Sequence, residues 1–378
     1  MEIDEKYMYM KKIFYIFFIV VTIFGCSPKK NLEPYFCYYD EKTQLSGFID
    51  KYGDVVIRPQ WDYVSNFNEG YAIVGKSPDS SFSNISEKNE PVLLDCVKWG
   101  VIDYMGNVIV KPQYDFIDDF HEGLAGFELR GKHGYLNTNG DVAIEPIFDR
   151  CGEFHEGLAS VRISNKYGFI NKNGEMVLNP QYDYVYDFYN DIAIVSCNER
   201  VVTLPKGQFD FDIDLVSKYA LIDRAGKFVT DTIFSSCDPF SEGLALAEVD
   251  GKYGYINVSG NFVIEPNFTW GNDKARYPAD FSEGKAVVRY GDQYGYIDKK
   301  GKIIIIPSFA YAYPFKEGFA KVITKDDNTC YINEEGRIIV NGDSLLYVYG
   351  FFDKLMVAKL KDGQFVHINN NGKIAWQK

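Results

Sequence analysis

The sequence predicts an all-β protein assembled as a tandem array of one small antiparallel unit, and three observations carry that prediction. A Tyr-Gly or Trp-Gly pair returns along the chain, with an undisturbed step from Gly100 to Gly134 to Gly168 and from Ala220 to Gly254. A constant step of this size is the mark of a repeat architecture. Aromatic residues make up 16% of the chain, with 29 Tyr and 29 Phe, and such side chains suit the pleated, half-buried surface of strands. Most of the 33 Gly and 14 Pro recur at fixed phases of the repeat, where short strands must turn. An array grows by adding units, so 378 residues are consistent with one elongated repeat domain, placed at 46–378.

The N-terminus is of a different kind. Ile13 to Gly25 is an apolar run preceded by Lys11-Lys12, too short to span a bilayer comfortably and arranged like a secretory signal over 1–25. Met10-Lys11-Lys12 makes a better start than the acidic Glu2, Asp4 and Glu5, so Met10 is the expected initiator. Ile23-Phe24-Gly25-Cys26 resembles the lipobox of bacterial lipoproteins, which implies lipidation at Cys26, a tether over 26–45 and attachment to a membrane of the cell envelope.

With the Gly of the aromatic-Gly pair as origin, the units start at Gly47, Gly100, Gly134, Gly168, Ala220, Gly254, Gly295, Cys330 and Val366, which gives eight units and a truncated ninth. Each opens with an apolar strand that ends in Asp or Asn, as in Val101-Ile102-Asp103 and Tyr255-Ile256-Asn257. Gly then follows three residues later (Gly106, Gly260). Asp or Asn bonds its own turn backbone and Gly supplies positive φ, so this is a hairpin. The second strand runs into Pro59, Pro112, Pro146, Pro180, Pro266 or Pro307; lacking an N–H, Pro should end the pairing or lie on an exposed edge. An aromatic follows two residues on (Trp61, Tyr114, Phe148, Tyr182, Phe268, Phe309), then a polar link, Phe-x-Glu-Gly, and a third strand leading to the next origin. The expected unit is a three-stranded antiparallel meander. Three strands fall short of the usual four-stranded blade, so an open solenoid-like or superhelical stack is preferred to the alternative, a closed β-propeller-like toroid.

Origins such as Lys98-Trp99-Gly100, Lys166-Tyr167-Gly168 and Lys252-Tyr253-Gly254, with Pro twelve residues on and then Glu-Gly, resemble the WG (KWG) repeat of bacterial proteins from about Ser46 onward. The fifth and eighth units depart from it, with Ala220 and Cys330 at the origin and Thr232 and Gly342 in place of Pro; in the last, Asp353-Lys354 replaces Glu-Gly. The resemblance implies a β-rich repeat domain used for interaction and supplies no catalytic residue.

Composition narrows the partners. The formal net charge of −13 repels phosphate backbones, so nucleic acid is not expected. Cys37, Cys96, Cys151, Cys197, Cys237 and Cys330 form no C-x-x-C pair and read as free thiols. Glu69, Glu122, Glu156, Glu242, Glu283 and Glu317 share one phase. An active site is a single constellation, so these copies read as carboxylates accepting backbone N–H bonds at the Glu-Gly turn, and no enzyme is expected. His121 and His155 share a slot that elsewhere holds Asn68, Ser241, Ser282 and Lys316, which reads as a solvated position; neither metal nor cofactor is expected. The repeated aromatics read as core.

Individuality lies where the period breaks, at Lys76 to Lys98, Asn198 to Lys218 and Thr269 to Ala279. Insertions in arrays map to exposed loops, so Phe82, Phe209, Phe211, Trp270 and Tyr277 are the candidate binding residues. The expected function is a cell-envelope binding or scaffolding module for protein or glycan. An envelope glycan hydrolase and a purely structural envelope protein are the alternatives.

Overall fold

The computed structural model describes residues 34–77, 97–196, 200–202, 214–216, 218–230, 234–268 and 280–378. It divides into two compact units, one of residues 1–130 with 136–142, the other of 131–135 with 143–378. The described residues of both are all-β. Among them nine successive small antiparallel sheets follow one another, six of them four-stranded and three three-stranded, besides the paired strands Arg200–Val202 and Asp214–Val216. No helix among the described residues is long and apolar enough to cross a membrane.

The strands group differently from the expected meander. The second sheet consists of Tyr63–Val64, Tyr71–Lys76, Lys98–Asp103 and Val108–Tyr114, in that order. The link after the Pro strand thus contributes a two-residue strand of its own. That short strand and the Glu-Gly strand belong with the next origin and the next Pro strand, so each sheet straddles two sequence repeats. Four strands in six of the nine sheets make these blades of the β-propeller type, and of the two architectures expected from the sequence the propeller is the one they match. The sequence favours the other because a two-residue strand has too little alternation to be seen. The ninth sheet, Leu345–Phe352 to Ile374–Gln377, also has four strands, the last two of them from the short ninth repeat.

Local chemistry explains each turn. Asp103 Oδ1 accepts from the N–H groups of Met105 and Asn107 at 2.9 and 2.8 Å, and Asp50, Asn171 and Asp298 close their hairpins in the same way. The Pro strand lies at the edge of its sheet, as its missing donor requires. It also bulges: Trp99 pairs with Tyr114 but Val101 with Val110. The bulge brings the Pro-strand backbone onto the origin. A Cβ on Gly100 would stand 2.4 Å from the Val110 carbonyl oxygen and 2.7 Å from Pro112 N, and the other origin glycines that precede a Pro are equally confined. In the eighth sheet, where Cys330 occupies the origin, the glycine has moved to the other side of the contact, since a Cβ on Gly342 would meet the Thr329 oxygen at 2.6 Å.

The core lies between successive sheets. Ile73, Val101, Val110 and Tyr114 of the second pack against Ile117, Phe120, Ala125 and Phe127 of the third; Phe169, Leu178 and Tyr182 meet Val185, Phe188 and Val195 in the same way. The Phe of Phe-x-Glu-Gly is almost wholly buried at 120, 154, 281 and 315, as is Phe188 of Phe-Tyr-Asn-Asp at the same phase, each contributing about 1.5–3 kcal/mol through removal from water. The repeated aromatics are core, as expected, because a single small sheet cannot cover its own apolar faces.

Candidate functional site

The Glu-Gly turn is the most repeated feature with charge. His121 and Leu124 exchange both backbone hydrogen bonds around Glu122-Gly123, and both turn residues are left-handed, with φ of 52° and 83°. That is the geometry of a two-residue hairpin matched to strand twist. It suits Gly and strains Glu, at roughly 1–2 kcal/mol. The carboxylates are spent on the neighbouring turn. Glu69 accepts from the N–H groups of Glu122 and Gly123 at 3.0 and 2.8 Å, Glu156 from Asn190 and Asp191 at 2.6 and 2.8 Å, and Glu242 from Glu283 and Gly284 at 2.6 and 2.9 Å. Glu283 and Glu317 continue the series to Gly318 and Lys354. These glutamates bond backbone N–H as the sequence suggests, but in the following sheet rather than their own. Basic residues reinforce the grip: Arg224 donates to the Glu156 carbonyl and to Asp191, and Lys299 Nζ lies 3.1 Å from Glu242.

The slot before that Glu is not the unconstrained position the sequence suggests. Asn68, Ser241 and Ser282 each donate to the carbonyl of the Phe one turn further on, Phe120, Phe281 and Phe315. At His155 the slot gathers charge. Its Nε2 lies 3.5 Å from Glu153 Oε2 and 3.6 Å from Asp187 Oδ2. Glu153 and Asp187 hold the same phase of consecutive turns. Burial pushes the Asp187 carboxyl up to about 6, with His155 pulling it down and Glu153 adding to the rise. Two turns later burial, joined by the charge of Asp238, pushes Asp280 up to about 7. Beside them, burial raises the Tyr255 hydroxyl and the Cys237 thiol. An acid recurring one residue before the Phe (Asp119, Glu153, Asp187, Asp280) is the sequence signal that points here, and it appears only when that column is read on its own.

The opposite end of several sheets carries a second device. In three sheets the Lys two residues before the origin Gly pairs with the Asp after the aromatic of the Pro strand: Lys98 with Asp115, Lys132 with Asp149 at 2.6 Å, and Lys166 with Asp183. Asp115 and Asp149 also accept from the hairpin amides of Arg130 and Ser164 at 2.7 and 2.8 Å. The Lys98 ammonium, outweighing a smaller opposing effect of burial, holds Asp115 below its ordinary value.

Insertions leave from this same end. Two-residue turns such as Arg130-Gly131 and Asp250-Gly251 join the Glu-Gly strand to the origin strand in ordinary sheets. In the second and fifth the chain departs there instead, between Lys76 and Lys98 and between Ser196 and Tyr219, each pair being in register. The third insertion follows Phe268, which pairs with Tyr253 at the same end. The candidate binding residues Phe82, Phe209, Phe211, Trp270 and Tyr277, and the candidate lipidation site Cys26, all lie outside the described residues. Cys37, Cys151, Cys237 and Cys330 are free thiols, while Cys96 and Cys197 fall outside.

Repeated four-stranded blades with left-handed Glu-Gly turns define a β-repeat protein of the propeller class. The WG containing repeat matches residues 47–77, 99–132, 134–167, 167–200, 219–253, 253–294 and 294–327. The chain belongs to the WG-repeat family. No curated protein matches it. Among solved structures, it resembles one described as the crystal structure of the eukaryotic initiation factor, with a TM-score of 0.56 at 10% identity over 92% of this chain and 96% of that one. It is also similar to BamB from Moraxella catarrhalis (TM-score 0.42, 12% identity, 70% of this chain and 87% of that one) and to Hsv2p from Kluyveromyces lactis (0.39, 9%, 69% and 96%). At these identities the first likeness concerns the fold alone.

Proposed function

We propose that this chain is a binding and scaffolding module of the cell envelope, tethered by lipid on Cys26, that offers its inserted loops to a protein or cell-surface glycan and performs no catalysis. One observation carries the reading: all three insertions leave their own sheets from the end opposite the Glu-Gly turns, so a regular frame offers its irregular segments from one kind of edge. The repeated glutamates do not compete with it, because those with bonded carboxylates hold the frame together.

A second reading, an envelope glycan hydrolase, draws on Asp280, whose carboxyl stays protonated close to neutral pH beside Asp238, as a general acid requires. The test compares wild type with a chain whose 78–96 segment is replaced by a two-residue turn, each used to capture partners from solubilised envelopes and on glycan arrays. Loss of a wild-type partner with the loop supports the binding module, whereas identical, empty captures favour a purely structural role. Glycan cleavage that disappears in Asp280→Asn would establish the hydrolase instead. Palmitate incorporation in wild type and Cys26→Ser tests the anchor, and equal labelling would refute it.

A further inference from the structure

The Pro strands share one outward pattern. Each opens with apolar residues, at least one of them exposed, and each places another exposed residue directly before its Pro. In five sheets that residue is polar: Arg58, Lys111, Glu145, Asn179 and Glu265. Because the Pro strand lies at the edge of its sheet, its unpaired backbone groups form a template for another strand, and a polar or charged side chain there keeps a second chain away. The seventh sheet departs from this pattern. Ile306 takes the position before Pro307 and is 77% exposed, following Ile303 and Ile304 at 40% and 39%. The edge strand Ile303–Phe309 thus shows three exposed isoleucines and carries no charged side chain. Ile147 of the third sheet is also exposed, but Glu145 stands on the same strand.

Two features fit this edge to a second copy of itself. The first is closure. Two identical edges pair antiparallel about a two-fold axis, each copy making the same contacts as the other, and the pairing covers both edges at once. Such an association stops at two chains, whereas an apolar edge left open is a route to aggregation. The second is charge. Lys300 and Lys302, both exposed, precede the strand at one end. At the other end Phe309 pairs with Tyr294. The turn two residues before Tyr294 carries Asp292, which holds Arg289 at 3.1 Å and is 99% exposed. An antiparallel two-fold brings the basic end of each copy to the acidic end of the other, so unlike charges face each other at both ends. A parallel pairing would set lysines against lysines.

We propose that the strand Ile303–Phe309 is a homodimer interface, at which two copies of this chain join their seventh sheets antiparallel about a two-fold axis beside Ile304 and Ile306. The exposed isoleucines of each copy leave water against those of the other. Pro307, which has no N–H to donate, limits the shared ladder at its far end. The interface is independent of the envelope reading.

Sedimentation velocity of the full-length chain, in non-ionic detergent with micelles in excess, tests the proposal. Wild type should approach the mass of two chains as its concentration rises. Ile306→Lys introduces at an exposed position the residue that Lys111 supplies in the second sheet, so the fold accommodates it. Its dimer dissociation constant should rise by about 100-fold or more, since like charges then meet across the axis. Ile306→Glu should do the same, and an equimolar mixture of the two variants should pair more tightly than either alone. Met105→Lys, which puts the same charge on an apolar residue 80% exposed in a turn of the second sheet, should leave the dimer unchanged. A monomeric wild type, open-ended aggregates in place of a dimer, a dimer that Ile306→Lys leaves intact, equal weakening by Met105→Lys, or a mixture no tighter than its components would each overturn the proposal.

Discussion

The amide of Gly284 donates to the carboxylate of Glu242 at 2.9 Å, across the boundary between two consecutive sheets. Glu242 is itself left-handed, with φ of 51°, so a residue strained in its own turn relieves the next turn's unpaired amides. The strain is local and the bond is not, which is why the pattern suits a repeat: a sheet that carries such a Glu stabilises its successor.

Glu242→Ala should therefore cost more than a surface carboxylate, about 1–3 kcal/mol, since it leaves two amides without their charged acceptor. Burial alone would raise the Glu242 carboxyl, but Lys299 and the Gly284 and Glu283 amides outweigh it and the group lies below its ordinary value. Its contribution is present above the unfolded carboxyl value and is lost as pH falls through the lower folded one. Urea midpoints for wild type and variant at neutral and acid pH measure this, and the difference should shrink in acid.

Asp280 has the opposite sign. Its folded value of about 7 exceeds that of an unfolded carboxyl, so the folded state binds more protons between the two and this group favours folding more as pH falls from 8 towards 5. Asp280→Asn should be more stable than wild type at pH 8, with the advantage fading by pH 5. A difference independent of pH in the same denaturation series would contradict the assignment.

Gly100→Ala should destabilise the second sheet by about 1–3 kcal/mol, because the new methyl carbon meets backbone and not a movable side chain. Gly342→Ala should do the same in the eighth sheet through Thr329. Thermal melts compare both with Gly123→Ala, where a Cβ meets no atom and only the left-handed φ of 83° opposes the change.

Thiol labelling should be slow in the native chain. Burial pushes Cys37 up to about 12 and raises Cys237 further, and the thiol form is a poor nucleophile. Reaction with a disulfide reagent at pH 8, followed with and without denaturant, should show these two positions reacting only when the chain unfolds.

Replacing 78–96 with Asn-Gly, which keeps the buried Val97, should leave stability within about 0.5 kcal/mol of wild type. Lys76 and Lys98 already face each other across the ladder, and a two-residue turn closes such a hairpin in ordinary sheets of this chain. A large fall in melting temperature would show that the insertion supports the frame.

Much of the frame is legible in the residues. The Asp and Asn hairpins, the Pro edge strands and the buried aromatics stand where their phases place them, because each depends on contacts within a few residues or on a pattern copied many times. What escapes is short or distant. Tyr63–Val64 is too brief to show a period, and the pairing of Lys98 with Asp115 joins the origin strand to the end of its hairpin partner, where no local rule predicts a meeting. The slot of Asn68, Ser241 and Ser282 looks unconstrained because several side chains can donate to the same Phe carbonyl.

The sequence by itself determined that this protein is an all-β array of WG repeats interrupted by three insertions, since composition and period are properties of the chain read in one dimension. Only the tertiary structure decided how strands share sheets, whose amides each bonded glutamate holds, and that His155 lies near both Glu153 and Asp187. The physical reason is that each of these depends on the lateral step from one sheet to the next, and residues a full repeat apart come within bonding distance only after the sheets have packed.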